Sequence, residues 1–363
     1  MYTNTQKIGL VLSGGGAKGA YQAGVLRALA ENGIHIDGVA GASIGALNGA
    51  IVAASPNLNE ASKRLAKLWQ RLAEVNPLQF NSIEFNYQKA AVYAVLLGSA
   101  GLRVSAPWVN VLLLLIQKGG EKMDWLKNDS SISLSQGAVF TDQPLQEMFD
   151  EFLDIKALQK ALPLYVSVFE QESYLKGASD WVKAQFLGID NPPSRFEHIQ
   201  SLPLAQQKET LLASAALPLL FKSRIDESGG RLTDGGQGGW VKAQGNTPVT
   251  PLVNAGYETI IVSHLDNGAL WHREDFPNTT FVEIRPNPKL DLTIKSTLDF
   301  SAQTIESLQN FGYEDTLATI GKLQETFSLL NQKRKQQIVM EKSLDTLDTS
   351  TQGLQSLIHN LPK

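Results

Sequence analysis

"IGLVLSGGGAKGAYQAGVLRAL" occupies residues 8–29. Its apolar run ends at Ser13 and three glycines, and Lys18 and Gly19 lead into a helical pattern in which Val25, Leu26 and Leu29 share a face. The spacing predicts a buried strand, a tight turn and a helix stopped near Gly33. "IDGVAGAS" then predicts a second strand, "IGALNGAIVAAS" a second helix, and "NEASKRLAKLWQRLAEV" an amphipathic one. Further on, "LPLYVSVFE" (162–170), "ETIIVSHL" (258–265) and "TTFVEIRP" (279–286) are rich in β-branched and aromatic residues and bounded by turn signals. Strands alternating with helices define an α/β fold with a mainly parallel central sheet flanked by helices.

Two consecutive strand-to-helix turns carry the chemistry. In the first, Gly14, Gly16 and Gly19 satisfy G-x-G-x-x-G, and Asp37 follows where an acidic residue would grip a ribose. A dinucleotide-binding protein is therefore one reading. A P-loop is not, because Gly19 rather than Ser or Thr follows Lys18. In the second turn "GASIG" (41–45) is G-x-S-x-G, a nucleophile elbow with Gly41 and Gly45 flanking Ser43. Serine at a helix start is also the ordinary N-cap. Adjacent parallel strands place both turns at one sheet edge, where donors and a nucleophile meet.

A nucleophilic serine needs a base. Downstream lie His198, His264, His272 and His359, and a Ser43–Asp234–His264 order is one arrangement. The acidic candidate sits in "RLTDGGQGGW" (231–240), where Asp234 ends a short strand and Gly235 and Gly236 let its carboxylate approach another loop.

Composition frames the partners. A chain of 363 residues with net charge −4 has no general attraction to nucleic acid or anionic lipid, so any membrane contact is local and apolar. The absence of cysteine excludes disulfides, thiolate nucleophiles and thiolate metal sites. The apolar run after Lys7 is too short for a signal-peptide core, which points to the cytoplasm. Residues 90–117 are strongly apolar, but Arg103 and Pro107 divide them below the length of a spanning helix. They read as core helices or as a cap over an apolar channel that touches lipid. From about Asp291 strand signals fade, and Ile305, Leu308, Leu317, Ile320, Leu323 and Leu330 recur at helical spacing.

"GGGAKGAYQAGVL", "GASIGAL", "ASAALPLLF" (213–221) and "TDGG" (233–236), in that order, resemble the patatin-like phospholipase family over roughly residues 7–265. The resemblance implies a three-layer α/β fold shared with the cytosolic phospholipases A2 and a Ser–Asp dyad rather than a triad. By matching position it makes Ser43 the nucleophile and Asp234 the base, with the N–H groups of Gly14, Gly15 and Gly16 as the oxyanion hole. Lys18 stands where the family carries Arg or Lys. Gly41, Gly45, Gly235 and Gly236 support the two reacting side chains. The chemistry implied is ester hydrolysis through an acyl-enzyme, on a lipid and most often a phospholipid, with no metal or cofactor. Catalytic residues fall in 1–290, with a helical insert at about 85–135, and 291–363 form a helical region for a partner or a second copy. One departure is local: the family's N-x-P follows D-G-G closely, whereas here it waits until Asn246. A catalytically silent scaffold of the same fold is the remaining alternative.

Overall fold

The computed structural model describes residues 7–75, 143–170, 192–216, 223–226, 229–239, 244–266, 271–287 and 299–359. The expected insert at 85–135, its apolar 90–117 stretch, and 217–221 of the "ASAALPLLF" motif lie outside them.

One mixed sheet organises the fold. Its strands are β1 (Ile8–Leu12), β2 (Gly38–Ala42), β3 (Leu164–Glu170), β4 (Arg195–His198), β5 (Arg224–Ile225), β6 (Arg231–Asp234), β7 (Thr259–Ser263) and β8 (Thr280–Ile284). The order is β5-β6-β3-β2-β1-β7-β8, with β4 also paired to β3. Neighbours from β3 through β2, β1 and β7 to β8 run parallel, while β4, β6 and β5 add antiparallel pairs on the far side of β3. The central strands are apolar on both faces, as a parallel sheet covered on both sides requires.

Among the described helices are α1 (Ala20–Glu31), α2 (Ile44–Ala53), α3 (Leu58–Val75), α4 (Gln143–Phe152), α5 (Ile155–Leu158), α6 (Leu204–Ser214), α7 (Thr250–Asn254) and α8 (Ala302–His359). All ten residues of α2 are buried, which fits its apolar composition all round. Gly49 brings α2 against Val39, Leu164 and Leu12 on one face of the sheet. The other face gathers Val11, Ala40, Ile260 and Val262 under Val249 and Leu252 at α7, giving three layers. α1 ends as its sequence predicts: Gly33 takes φ 69°, and the Ile34 N–H reaches back to the Leu29 carbonyl at 3.0 Å.

α1 crosses the first turns of α8 at backbone contact. A Cβ on Gly24 would lie 1.8 Å from the Gln309 oxygen, and one on Gly312 would lie 2.0 Å from the Tyr21 oxygen. The Tyr21 hydroxyl donates to Asp315 at 3.0 Å, and that of Tyr313 to Glu31 at 2.6 Å. The chain divides into two compact units, Met1–Thr316 and Leu317–Lys363. In the second, α8 continues with Leu329, Ile338, Leu344 and Leu347 exposed. No described helix is long and apolar enough to cross a membrane.

Candidate active site

β2 ends at Ala42 and α2 starts at Ile44, so one residue turns the chain. That residue is Ser43, with φ 52° and ψ −128°, and it alone among the described non-glycine residues has a positive φ. Such a conformation belongs to glycine and persists in other residues only where the surroundings impose it. The flanking glycines are imposed in turn. A Cβ on Gly41 would lie 2.3 Å from the Gly45 oxygen, and one on Gly45 would lie 2.1 Å from the Leu12 oxygen. The Ser43 side chain does not cap α2, so the ordinary reason for a serine at a helix start does not apply.

Asp234 reaches Ser43 through β3. In the parallel pair Ala42 lies opposite Ser167, and in the antiparallel pair Asp234 lies opposite Val168. Successive residues of one strand thus neighbour both side chains. Asp234 is 3% exposed, its Oδ1 accepts the Gly236 N–H at 2.8 Å, and Oδ2 is buried without a hydrogen-bond partner. Burial raises its pKa from 3.8 to about 6, against the opposing pull of the Ser43 hydroxyl beside it and of the Gly236 N–H. Gly235 must be glycine, since a Cβ there would lie 2.1 Å from the Ser167 oxygen.

The glycine loop faces the elbow from the end of β1. A Cβ on Gly14 would sit 2.8 Å from the Ser43 Cβ. Gly15 and Gly16 donate their N–H groups to no acceptor among the described residues, whereas the Gly14 N–H donates to the Asn246 carbonyl at 3.3 Å. Gly14 therefore departs from the three-donor expectation: it admits Ser43 closely, and its own N–H is occupied. Behind the loop, Gln22 donates to the Ser13 carbonyl at 2.8 Å, and Asn48 donates to the Gly19 carbonyl at 3.0 Å and to Gln22 at 2.7 Å. Trp69 donates to Asn48 at 3.2 Å and completes a buried network that fixes the turn from below. Lys18 is buried beside the loop, and desolvation lowers its pKa against the pull of Asp266.

Asn246 was not among the expected site residues. It clamps Gly14 with a second bond, Nδ2 to the Gly14 oxygen at 3.4 Å, and its Oδ1 lies 2.8 Å from where a Cβ of Gly236 would be. The side chain thus spans the glycine loop and the Asp234 turn. Its signal in the sequence was the displaced N-x-P, whose Thr247 also meets Ser13 at 3.1 Å between hydroxyl oxygens.

The family model described as patatin-like phospholipase matches residues 10–253. The chain belongs to the patatin-like phospholipase family. A patatin-like phospholipase domain-containing protein of Caenorhabditis elegans is 42% identical over 90 residues, 22% of this chain and 7% of that protein. A neuropathy target esterase of Drosophila persimilis is 44% identical over 89 residues, again 22% of this chain and 6% of the relative. The match thus spans a small part of these relatives' length. Among solved structures, VipD from Legionella pneumophila aligns at 16% identity and TM-score 0.39, covering 87% of this chain and 67% of that one.

Two alternative site residues of the patatin-like chain fall elsewhere. Asp37 precedes β2 and accepts the Ile8 N–H at 2.8 Å, at the strand end opposite the glycine loop. A ribose bound with its phosphates at that loop is out of its reach, so the dinucleotide reading loses its acidic residue. His264 is fully buried, and its Nε2 meets Glu283 at 3.2 Å while Nδ1 has no partner. None of its hydrogen bonds goes to Ser43 or Asp234, so the Ser43–Asp234–His264 order is not assembled.

Proposed function

We propose that this protein is a lipid acyl hydrolase of phospholipase A type, working through a Ser43–Asp234 dyad. The observation that carries this reading is a strained, uncapped serine beside a buried carboxylate whose Oδ2 lacks a partner. A carboxylate with an ordinary pKa is a poor base at neutral pH, and burial raises that of Asp234 toward the working range. Asp234 takes the proton of the Ser43 hydroxyl as Oγ attacks the ester carbonyl. The oxyanion forms against the N–H groups of Gly15 and Gly16, each such donor being worth roughly 10²–10³ in rate. Collapse of the tetrahedral intermediate expels the alcohol, which takes the proton from Asp234, and leaves an acyl-serine. Water, deprotonated by the same carboxylate, then releases the fatty acid.

The family supports an acyl ester of a lipid as substrate, as do the phospholipase and esterase names of the matched relatives. Contact with lipid is assigned to the apolar 90–117 stretch, and association with a partner or a second copy to α8. A fluorophosphonate probe tests the core of the proposal. It should label the purified chain at one site, and Ser43→Ala and Asp234→Asn should each abolish labelling and phospholipid hydrolysis while the far-ultraviolet spectrum is unchanged. A wild-type chain that resists the probe is a silent scaffold, and the proposal fails.

A further inference from the structure

The "ASAALPLLF" motif contributes nothing to the mechanism above, yet its serine touches the elbow. Ser214 ends α6 and is fully buried. Its Oγ accepts the Ser43 N–H at 2.9 Å and donates to the Ser167 carbonyl at 2.7 Å. That amide is the first beyond the β2–β3 ladder, whose last pair is Ala42 with Ser167. A hydroxyl from a helix therefore stands in for the next rung, joining an amide and a carbonyl across strands that have begun to part. Ser167 continues the connection on its other side. Its own hydroxyl donates to the Gly235 carbonyl at 3.2 Å, on the turn that carries Asp234, and Ser194 donates to the same carbonyl at 2.5 Å. Ser167 thus anchors the nucleophile through its carbonyl and the base's turn through its hydroxyl.

We infer that Ser214 is a positioning residue that aims Ser43 at Asp234, an inference resting on the reading of Ser43 as nucleophile. Holding the Ser43 N–H fixes the plane of the Ala42–Ser43 peptide, and with it the direction in which Cβ and Oγ leave the backbone. A misplacement of about 1 Å at a reacting atom can cost on the order of 10²-fold in rate. The same bond keeps the Ser43 N–H out of the oxyanion site, which leaves that work to Gly15 and Gly16.

The test separates rate from amplitude in fluorophosphonate labelling of the full chain. Ser214→Ala should label to completion but at least tenfold more slowly than wild type, with KM for a p-nitrophenyl ester within twofold and kcat reduced in parallel. A purely structural role lowers the fraction labelled and leaves the rate of the labelled fraction untouched, and that result overturns the inference. If Ser214→Ala does not fold, Ser214→Cys decides in its place, since sulfur fills the site but is a weak acceptor. A wild-type rate in Ser214→Cys again overturns the inference. Wild-type protein that stays unlabelled, or label retained in Ser43→Ala, removes the hydrolase reading itself, whereas labelling at Ser43 with unaffected Ser214 variants removes only the positioning role.

Discussion

Ser43 holds a backbone geometry that its own Cβ resists, and the strain can be measured apart from the chemistry. Ser43→Gly and Ser43→Ala both remove the hydroxyl, but only glycine relaxes at φ 52°. We expect the glycine variant to be the more stable by about 1 kcal/mol, with both silent toward the probe. Equal melting temperatures would sink the claim of strain. Asp234 sets the pH behaviour. Its pKa is raised from 3.8 to about 6, so the folded state binds this proton more tightly than the unfolded one. The contribution to stability is full below pH 4 and is lost as the pH rises from about 4 to 6. At neutral pH the buried charge costs on the order of 3 kcal/mol. Asp234→Asn should therefore melt higher than wild type at pH 7.5 and gain nothing at pH 4. Hydrolysis should fall about tenfold per pH unit below 6, as the base becomes protonated. A flat profile down to pH 5 would exclude this carboxylate as the base.

At the scale of elements, the glycine contacts make sharp predictions. Gly312→Ala forces a methyl against the Tyr21 carbonyl where α1 and α8 touch, and should destabilise by about 1–3 kcal/mol in urea unfolding. Asn246→Ala should lower kcat more than it raises KM, because it frees the Gly14 loop without removing a group that contacts substrate. An unchanged kcat would reduce Asn246 to a loop tether. These elements differed in how plainly the sequence announced them. The elbow and both glycine turns were legible because glycines cluster where backbone passes backbone: a Cβ on Gly41 would meet the Gly45 carbonyl of the same turn, and one on Gly45 the Leu12 carbonyl at the end of β1. The strands β1, β2, β3, β7 and β8 were legible from apolar or β-branched runs bounded by turns. β4 and β5 were not, since strands of four and two residues carry too little pattern. Ser214 and Asn246 stand inside motifs the sequence displays, "ASAALPLLF" and N-x-P, but what they touch stayed hidden for another reason. Their partners lie far along the chain, at Ser43 and Gly14, and a hydroxyl or amide shows nothing of such a partner in its neighbours.

For the whole molecule, the hydrogen bonds described around the dyad lie within the unit Met1–Thr316, and the two units invite separation. A chain ending at Thr316 should keep the kcat of the full protein. One ending near residue 298 loses the Tyr21–Asp315 bond and the Gly24–Gln309 crossing, and should melt several degrees lower. Light scattering on the full chain and the Thr316-terminated one checks whether α8 supports assembly. The order of strands in the sheet has one more effect, on timing. Ser43 is made early, but β3, β6 and β7 must all be in place before Asp234 and the glycine loop surround it. A chain still on the ribosome, with its first strands already emerged, carries a serine that has no base. On the proposed reading, hydrolysis begins only once the turn that carries Asp234 has been made and docked, late in the chain's own synthesis.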